Sequence, residues 1–130
     1  MGQIADQVHA KFKVFTGKLA SDGTLGALAA EVEGWVAAER VAPKSIGVEF
    51  LESAGVLVLS IGYRDDEPPY RVKLSTVQIG TVDAVDAGQL ETIEKAMANA
   101  SSSLRDVICH ELYVTADNTL LMVFMTHQAK

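Results

Sequence analysis

The residues best suited to chemistry lie close together near the carboxyl end of the chain, at Cys109, His110, Glu111 and Tyr113. A thiolate beside an imidazole can act as an activated nucleophile, and a glutamate or tyrosine can move a proton. These residues fall in a predicted strand, however, where successive side chains point to opposite faces. Cys109 and His110 therefore cannot form a catalytic pair, and we expect a core cysteine beside a half-buried structural histidine. His110, Glu111 and Tyr113 remain the candidate catalytic residues of a site completed at an oligomer interface.

Two further residues are candidates for ligand binding, Glu49 in a predicted strand and Trp35 in a predicted helix. A strand glutamate can face a pocket or water, whereas a tryptophan on an apolar helical stripe is more typical of a core than of a ligand platform. The acidic run at 65–67 lacks the spacing that wraps a cation, and one cysteine with three scattered histidines makes no metal site. The chain carries no P-loop, dinucleotide fingerprint or serine elbow. We therefore predict neither a metal nor a cofactor.

The composition restricts the class of protein and its partners. The chain has 130 residues, of which 48% are hydrophobic and 22% are charged, as in an ordinary globular domain. A formal net charge of −6, with 11 scattered lysines and arginines, argues against nucleic acid and against an anionic membrane surface. The single cysteine allows no internal disulfide, and the sequence has neither a signal-peptide core nor an apolar run long enough for a bilayer. We expect one cytoplasmic domain spanning residues 1–130.

The pattern of apolar residues predicts six strands and two helices. Alternating or branched runs predict strands at 11–16, 45–51, 56–63, 70–79, 106–115 and 119–126. Apolar residues at helical spacing from 25 to 36 and from 90 to 100 predict the helices. The order strand–helix–strand–strand therefore occurs twice, in pseudo-repeats at roughly 10–63 and 70–127. The predicted fold is α+β, with both halves in one mainly antiparallel sheet and both helices packed on one face.

Faint local matches accompany the repeated order of elements. LVLSIGY at 57–63 corresponds to LLMVFMT at 120–126, and KFKVFT at 11–16 corresponds to RVKLST at 71–76. Two consecutive units of this kind resemble the duplicated gyrase-inhibitor-like effector-binding domains. The resemblance implies a cleft between the halves that binds small molecules or partner proteins, often beside a buried glutamate, and no local motif selects Glu49 or Glu111 for that position. The first half also resembles small bacterial proteins, which implies a fold and no function.

The strands at 56–60 and 120–125 are apolar on both alternating faces. Antiparallel strands with one wet face alternate between apolar and polar residues, so these strands need cover on both sides. Two helices on one side of a sheet cover only one face. We therefore predict a homodimer, or a higher closed oligomer, joined through the open sheet face. The alternative is a sheet that curls around its own core within one chain.

The sequence leaves three functions open. The leading hypothesis is a non-enzymatic module that binds a small ligand or a partner protein and works as a homo-oligomer. The alternatives are a small oligomeric enzyme with its site at the interface, and a structural subunit of a larger assembly. A deep pocket with convergent polar groups would favour the first two, and a flat apolar surface the third.

Overall fold

The computed structural model describes residues 11–81 and 87–128, which form six strands and two helices. The elements are β1 Lys11–Gly17, α1 Ala27–Glu39, β2 Ala42–Leu51, β3 Val56–Arg64, β4 Val72–Thr81, α2 Ala87–Ser101, β5 Val107–Val114 and β6 Thr119–His127. The α+β class and the strand–helix–strand–strand order of each half are confirmed. Neither of the two described helices has the length and apolar character needed to cross a membrane.

The strands form two three-stranded antiparallel sheets, where the sequence predicted one. Sheet 1 has the order β1-β3-β2 and sheet 2 has the order β4-β6-β5, so the last strand of each half is central. Strands β2 and β5 lie side by side at a junction that we call the seam. Each carries a register shift, between Pro43 and Ser45 in β2 and between Val107 and Cys109 in β5. Such irregularities bend and twist a strand, and these two lie in the strands that meet at the seam.

Helix α1 belongs to a core shared by both sheets. It packs against β1 and β4, the strands at the two edges away from the seam. The core joins Leu28, Val32 and Val36 of α1 to Leu57, Leu59 and Ile61 of sheet 1 and to Leu121, Val123 and Met125 of sheet 2. The carboxylate of Glu33 in α1 also accepts a hydrogen bond from the backbone N–H of Leu74 in β4, at 2.7 Å. The first helix therefore holds the two halves together.

Strand β6 is covered on both faces by its own chain. Residues 120–126 are all buried, and the odd-numbered side chains of that run lie in the shared core. Leu120, Met122 and Phe124 point the other way and are also buried. Helix α2 packs against the neighbouring strand β4 through half-buried side chains that include Ile93 and Met97. Since α1 occupies the shared core, we assign this second face to α2. The burial of residues 120–126 shows that one chain is enough to cover β6 on both faces.

Within residues 11–81 and 87–128, strand β3 is covered on one face only. Val58 and Ser60 are half-buried, and their neighbours on β1, Phe12 and Val14, are 67% and 57% exposed. Cross-strand partners share a face. We call this surface the outer face; by register it comprises Phe12, Val14, Thr16, Ser45, Gly47, Glu49, Leu51, Val56, Val58, Ser60 and Gly62. The two strands that look alike in sequence therefore differ in their cover.

Candidate functional site

The candidate site is a groove at the seam between the two halves. Its volume is about 520 Å³, and it is lined by Gly47, Val48, Glu49, Leu51, Val58, Ser60 and Glu111. Sheet 1 supplies every lining residue except Glu111, which comes from β5. Most of these residues also belong to the outer face, so the groove opens beside that apolar surface.

The groove brings together the two carboxylates that the sequence could not pair. Glu49 is exposed on β2, opposite Val58 of β3. Glu111 is half-buried, and its Oε1 accepts a hydrogen bond from the backbone N–H of Leu112 at 3.2 Å. Ser60 adds a hydroxyl that can donate or accept a hydrogen bond. Two carboxylates and a hydroxyl in an open groove suit a ligand that carries an amine or other hydrogen-bond donors.

The three candidate catalytic residues of β5 do not converge within one chain. The register pairs His110 with Phe124 and Glu111 with Val123, so the imidazole lies on the opposite face from Glu111 and Tyr113. Tyr113 is buried, its Oη donates a hydrogen bond to the carbonyl of Gly23 at 2.6 Å, and burial raises its pKa. Its hydroxyl therefore ties β5 to the loop before α1.

The expected burial of His110 is wrong, because the side chain is exposed. Strand β5 is an edge of sheet 2, whereas α2 packs against β4 at the opposite edge. Val107 and Val114 of β5 are each 41% exposed as well. The outward face of β5 is therefore beyond the reach of the helix.

Cys109 has the surroundings of a core residue. It is half-buried, packs against the shared core and lies on the opposite face from His110, as the strand alternation predicts. Burial, followed by the negative charge of Glu111, raises the pKa of its thiol to about 11. Only a small fraction of the side chain is thiolate near neutral pH, which disfavours a nucleophilic role.

Trp35 lies between the first helix and sheet 1. Its ring makes edge-to-face contacts with Phe15, at a centroid distance of 5.8 Å, and with Tyr63, at 5.0 Å. These contacts join α1 to β1 and β3 and are typical of a packing role. The side chain is half-buried rather than fully enclosed.

The acidic run at 65–67 is neutralised by cations of its own chain. The ion pairs are Lys11–Asp65, Arg64–Asp66 and Lys44–Glu67, each at 2.5 Å. The pairs of Lys11 and Lys44 connect the loop after β3 to β1 and to β2. Within residues 11–81 and 87–128, no group of three or more His, Cys, Asp and Glu side chains is arranged to hold a metal ion.

A second polar cavity lies between the loop before α1 and the turn between β5 and β6. It measures about 440 Å³ and includes Asp22 and Asp117 in its lining. Asp22 accepts hydrogen bonds from the backbone N–H of Thr24, at 3.0 Å, and from its hydroxyl, at 2.7 Å. Asp117 accepts one from the Thr115 hydroxyl. These hydrogen bonds lower the pKa of both carboxyls, and they show that each carboxylate stabilises its own turn.

The seam groove is therefore described from the structure of this chain alone. Its two carboxylates, Glu49 and Glu111, come from different halves and lie at the junction of the two sheets. The likeness to the gyrase-inhibitor-like effector-binding domains rests on the order of the elements and stays a prediction. Comparisons of this chain with protein-family models, with curated proteins and with solved structures found no match.

Proposed function

We propose that the chain is a non-enzymatic binding module that works as a homodimer joined through the outer face, with a small ligand or a partner protein held in the seam groove. The observation that carries this proposal is the exposure of Phe12 and Val14, at 67% and 57%, on a sheet face over which none of the described residues forms a covering layer. We assign the module to the cytoplasm. The separation of His110 from Glu111 and Tyr113 favours binding over catalysis.

The charge distribution favours a second copy as the occupant of the outer face. Glu49 is the one charged side chain among the residues that define that face, and Arg64, which follows Gly62 on the same side of β3, is paired with Asp66 and Glu67. Two chains with a net charge of −6 repel each other over most of their surfaces, so a nearly uncharged face is where they can approach at least electrostatic cost. Exposed aromatic side chains such as Phe12 are typical anchors of protein interfaces.

The shape of the outer face also favours pairing with itself. The space beside Gly47 is taken by the Ser60 hydroxyl, and the space beside Gly62 is taken by the Ser45 hydroxyl and the Phe12 ring, so no side chain projects far from this part of the face. In a twofold dimer, the flat patch around Phe12 packs on the same patch of the other copy, because one surface serves both partners.

The seam groove is the ligand site of this proposal. It shares Gly47, Val58 and Ser60 with the outer face, so a second copy seated there closes over one side of the groove. Closure excludes water and strengthens the attraction between the two carboxylates and a cationic ligand. The preferred ligand is therefore a small molecule or peptide that carries an amine.

The dimer is tested by light scattering coupled to size-exclusion chromatography at micromolar concentration. We expect a dimer for the natural chain and a monomer for the double variant Phe12→Glu, Val14→Glu, which places two charges on the interface. Both side chains are exposed, so the circular dichroism spectrum is expected to stay unchanged. Leu90→Glu is the control, because Leu90 is an exposed apolar residue elsewhere, and it should remain a dimer. A monomeric natural chain would overturn the proposed interface.

The ligand site is tested by a thermal-shift screen against amine-bearing metabolites together with a pull-down from lysate. We expect a compound or protein that stabilises the natural chain and has no effect on the double variant Glu49→Gln, Glu111→Gln. The control is Glu52→Gln, which removes one exposed carboxylate in the turn between β2 and β3 and should respond like the natural chain. If both searches find nothing, or if the double variant responds in full, the groove is not the binding site.

A further inference from the structure

Two neighbouring cavities meet at Tyr70 and Arg71, close to the carboxyl end of α1. The larger measures about 320 Å³ and is lined by Val36, Ala37, Arg40, Pro69, Tyr70 and Arg71. The smaller measures about 190 Å³ and is lined by Tyr70, Arg71, His127 and Gln128. The larger cavity lies at the lower end of the range for small-molecule sites. Neither cavity shares a lining residue with the seam groove.

Two guanidinium groups, those of Arg40 and Arg71, line the larger cavity. Among the described residues, neither has an ion-pair partner, whereas Arg64 binds both Asp66 and Glu67. Other basic residues of the described part also lack an ion pair, and what sets Arg40 and Arg71 apart is that both line one cavity. An acidic protein that leaves two arginines unpaired in one cavity has a local site of positive charge there.

The wall between the cavities is held in place from several directions. The Tyr70 hydroxyl donates a hydrogen bond to the carbonyl of Pro43, and its backbone N–H donates to the carbonyl of Val41 at 3.4 Å. The ring stacks on His127 at a centroid distance of 4.9 Å, and the Nζ of Lys44 lies 6.0 Å from the ring centroid. Because the ring is already fixed, a ligand that packs against it immobilises little of the protein, and binding costs little conformational entropy.

The backbone of Arg40 gives an independent indication of function. Arg40 is the residue that ends α1, its φ is 57°, and its N–H donates to the carbonyl of Val36 at 3.1 Å. Glycine is the usual residue in this left-handed conformation, because a side chain there is strained. Non-glycine residues held in such a conformation are concentrated at ligand sites. An arginine thus occupies a position where the fold alone favours glycine.

We propose that Arg40 and Arg71 bind the phosphate group of a small phosphorylated metabolite, whose organic part packs against Pro69 and the Tyr70 ring. Guanidinium groups bind phosphate oxygens through paired, charge-assisted hydrogen bonds, and two of them match the double negative charge of a phosphate monoester. The carboxyl end of a helix carries partial negative charge, which opposes an anion. This repulsion offsets part of the attraction of a single arginine, so we expect phosphate binding to require both Arg40 and Arg71. This site is separate from the proposed dimer and its groove.

The test is calorimetric titration with phenyl phosphate, inorganic phosphate and phenol at constant ionic strength. We expect saturable binding of phenyl phosphate, weaker binding of inorganic phosphate and none of phenol. Arg40→Gly and Arg71→Gln should each weaken phenyl phosphate binding by at least about tenfold. Arg40→Gly is chosen because glycine suits the local backbone, so the melting temperature should stay the same or rise. Lys18→Ala is the control, since it removes one exposed positive charge near the first turn of α1, and binding should be unchanged.

Three results would overturn the phosphate site. The first is the absence of saturable binding of phenyl phosphate by the natural chain, and the second is undiminished binding by Arg40→Gly. The third is a loss of affinity in Lys18→Ala equal to the loss in the arginine variants, which would indicate general electrostatic attraction without a site. Size-exclusion chromatography of the same variants should give the elution volume of the natural chain. Failure of the phosphate site is thereby distinguished from failure of the proposed dimer.

Discussion

Replacing Leu121 with lysine is expected to unfold the chain, whereas the same replacement at Val58 should leave a folded monomer. The two residues occupy corresponding positions in β6 and β3, the central strands of the two sheets. Leu121 is fully buried in the shared core, so a lysine there places an unpaired ammonium among apolar side chains. Such a burial costs several kcal/mol, out of a total stability of about 5–15 kcal/mol for a typical domain.

Val58 has a different environment, because its side chain is half-buried on the outer face. The methylene groups of a lysine can lie along this face while the ammonium reaches water, so we expect a loss of about 1 kcal/mol or less. Urea denaturation followed by circular dichroism and by the fluorescence of Trp35, the single tryptophan, measures both variants. An equal loss of stability in the two variants would mean that β3 is covered on both faces, as β6 is.

Truncating Phe124 to alanine should lower the free energy of unfolding by about 3–5 kcal/mol. Phe124 is 1% exposed on the face of β6 that points away from the shared core. If α2 covers this face, the truncation leaves a cavity between the helix and sheet 2. Phe124→Leu keeps most of the volume and should cost less than Phe124→Ala. The measurement is urea denaturation at constant pH.

Phe12→Ala provides the matched control for that prediction. It removes the same atoms from a phenylalanine that is 67% exposed, so its cost in a monomer should be about 0.5 kcal/mol. Both truncations are made in a Val14→Glu background, so that dissociation of a dimer does not contribute. Similar losses at Phe124 and Phe12 would show that α2 does not cover sheet 2.

The sequence predicted the elements well because their signals are local. Alternating, branched or continuously apolar runs identified the six strands of the described residues, helical spacing identified their two helices, and the boundaries agree to within a few residues. The number of sheets was not predictable in the same way. Whether β2 and β5 join depends on irregularities near Pro43 and Val107 and on packing around α1, which brings together residues far apart in the chain.

The two apolar strands show how a correct pattern can support two outcomes. Both were expected to need cover on both faces, yet among the residues that the structure describes only β6 receives it. A signal was present in the side-chain sizes. The face of β6 that lies in the shared core carries Leu121, Val123 and Met125, whereas the corresponding positions of β3 carry the smaller residues Val58, Ser60 and Gly62.

The candidate sites were only partly accessible from the sequence. Glu49 and Glu111 were singled out separately, and the tertiary structure places both at one groove. Arg40 and Arg71 were missed, since scattered basic residues in an acidic chain give no local motif. The left-handed backbone at Arg40 is likewise set by how α1 ends before β2, where the sequence has no glycine.

The sequence by itself determined that Cys109 and His110 lie on opposite faces, because alternation is a property of each strand alone. It also determined the two strand–helix–strand–strand halves, which follow from local periodicity. Only the tertiary structure decided that His110 is exposed, that the Tyr113 hydroxyl is hydrogen-bonded to Gly23, and that no described residue covers the outer face of β3. Burial of a face depends on which distant segment packs against it, and no local pattern contains that information.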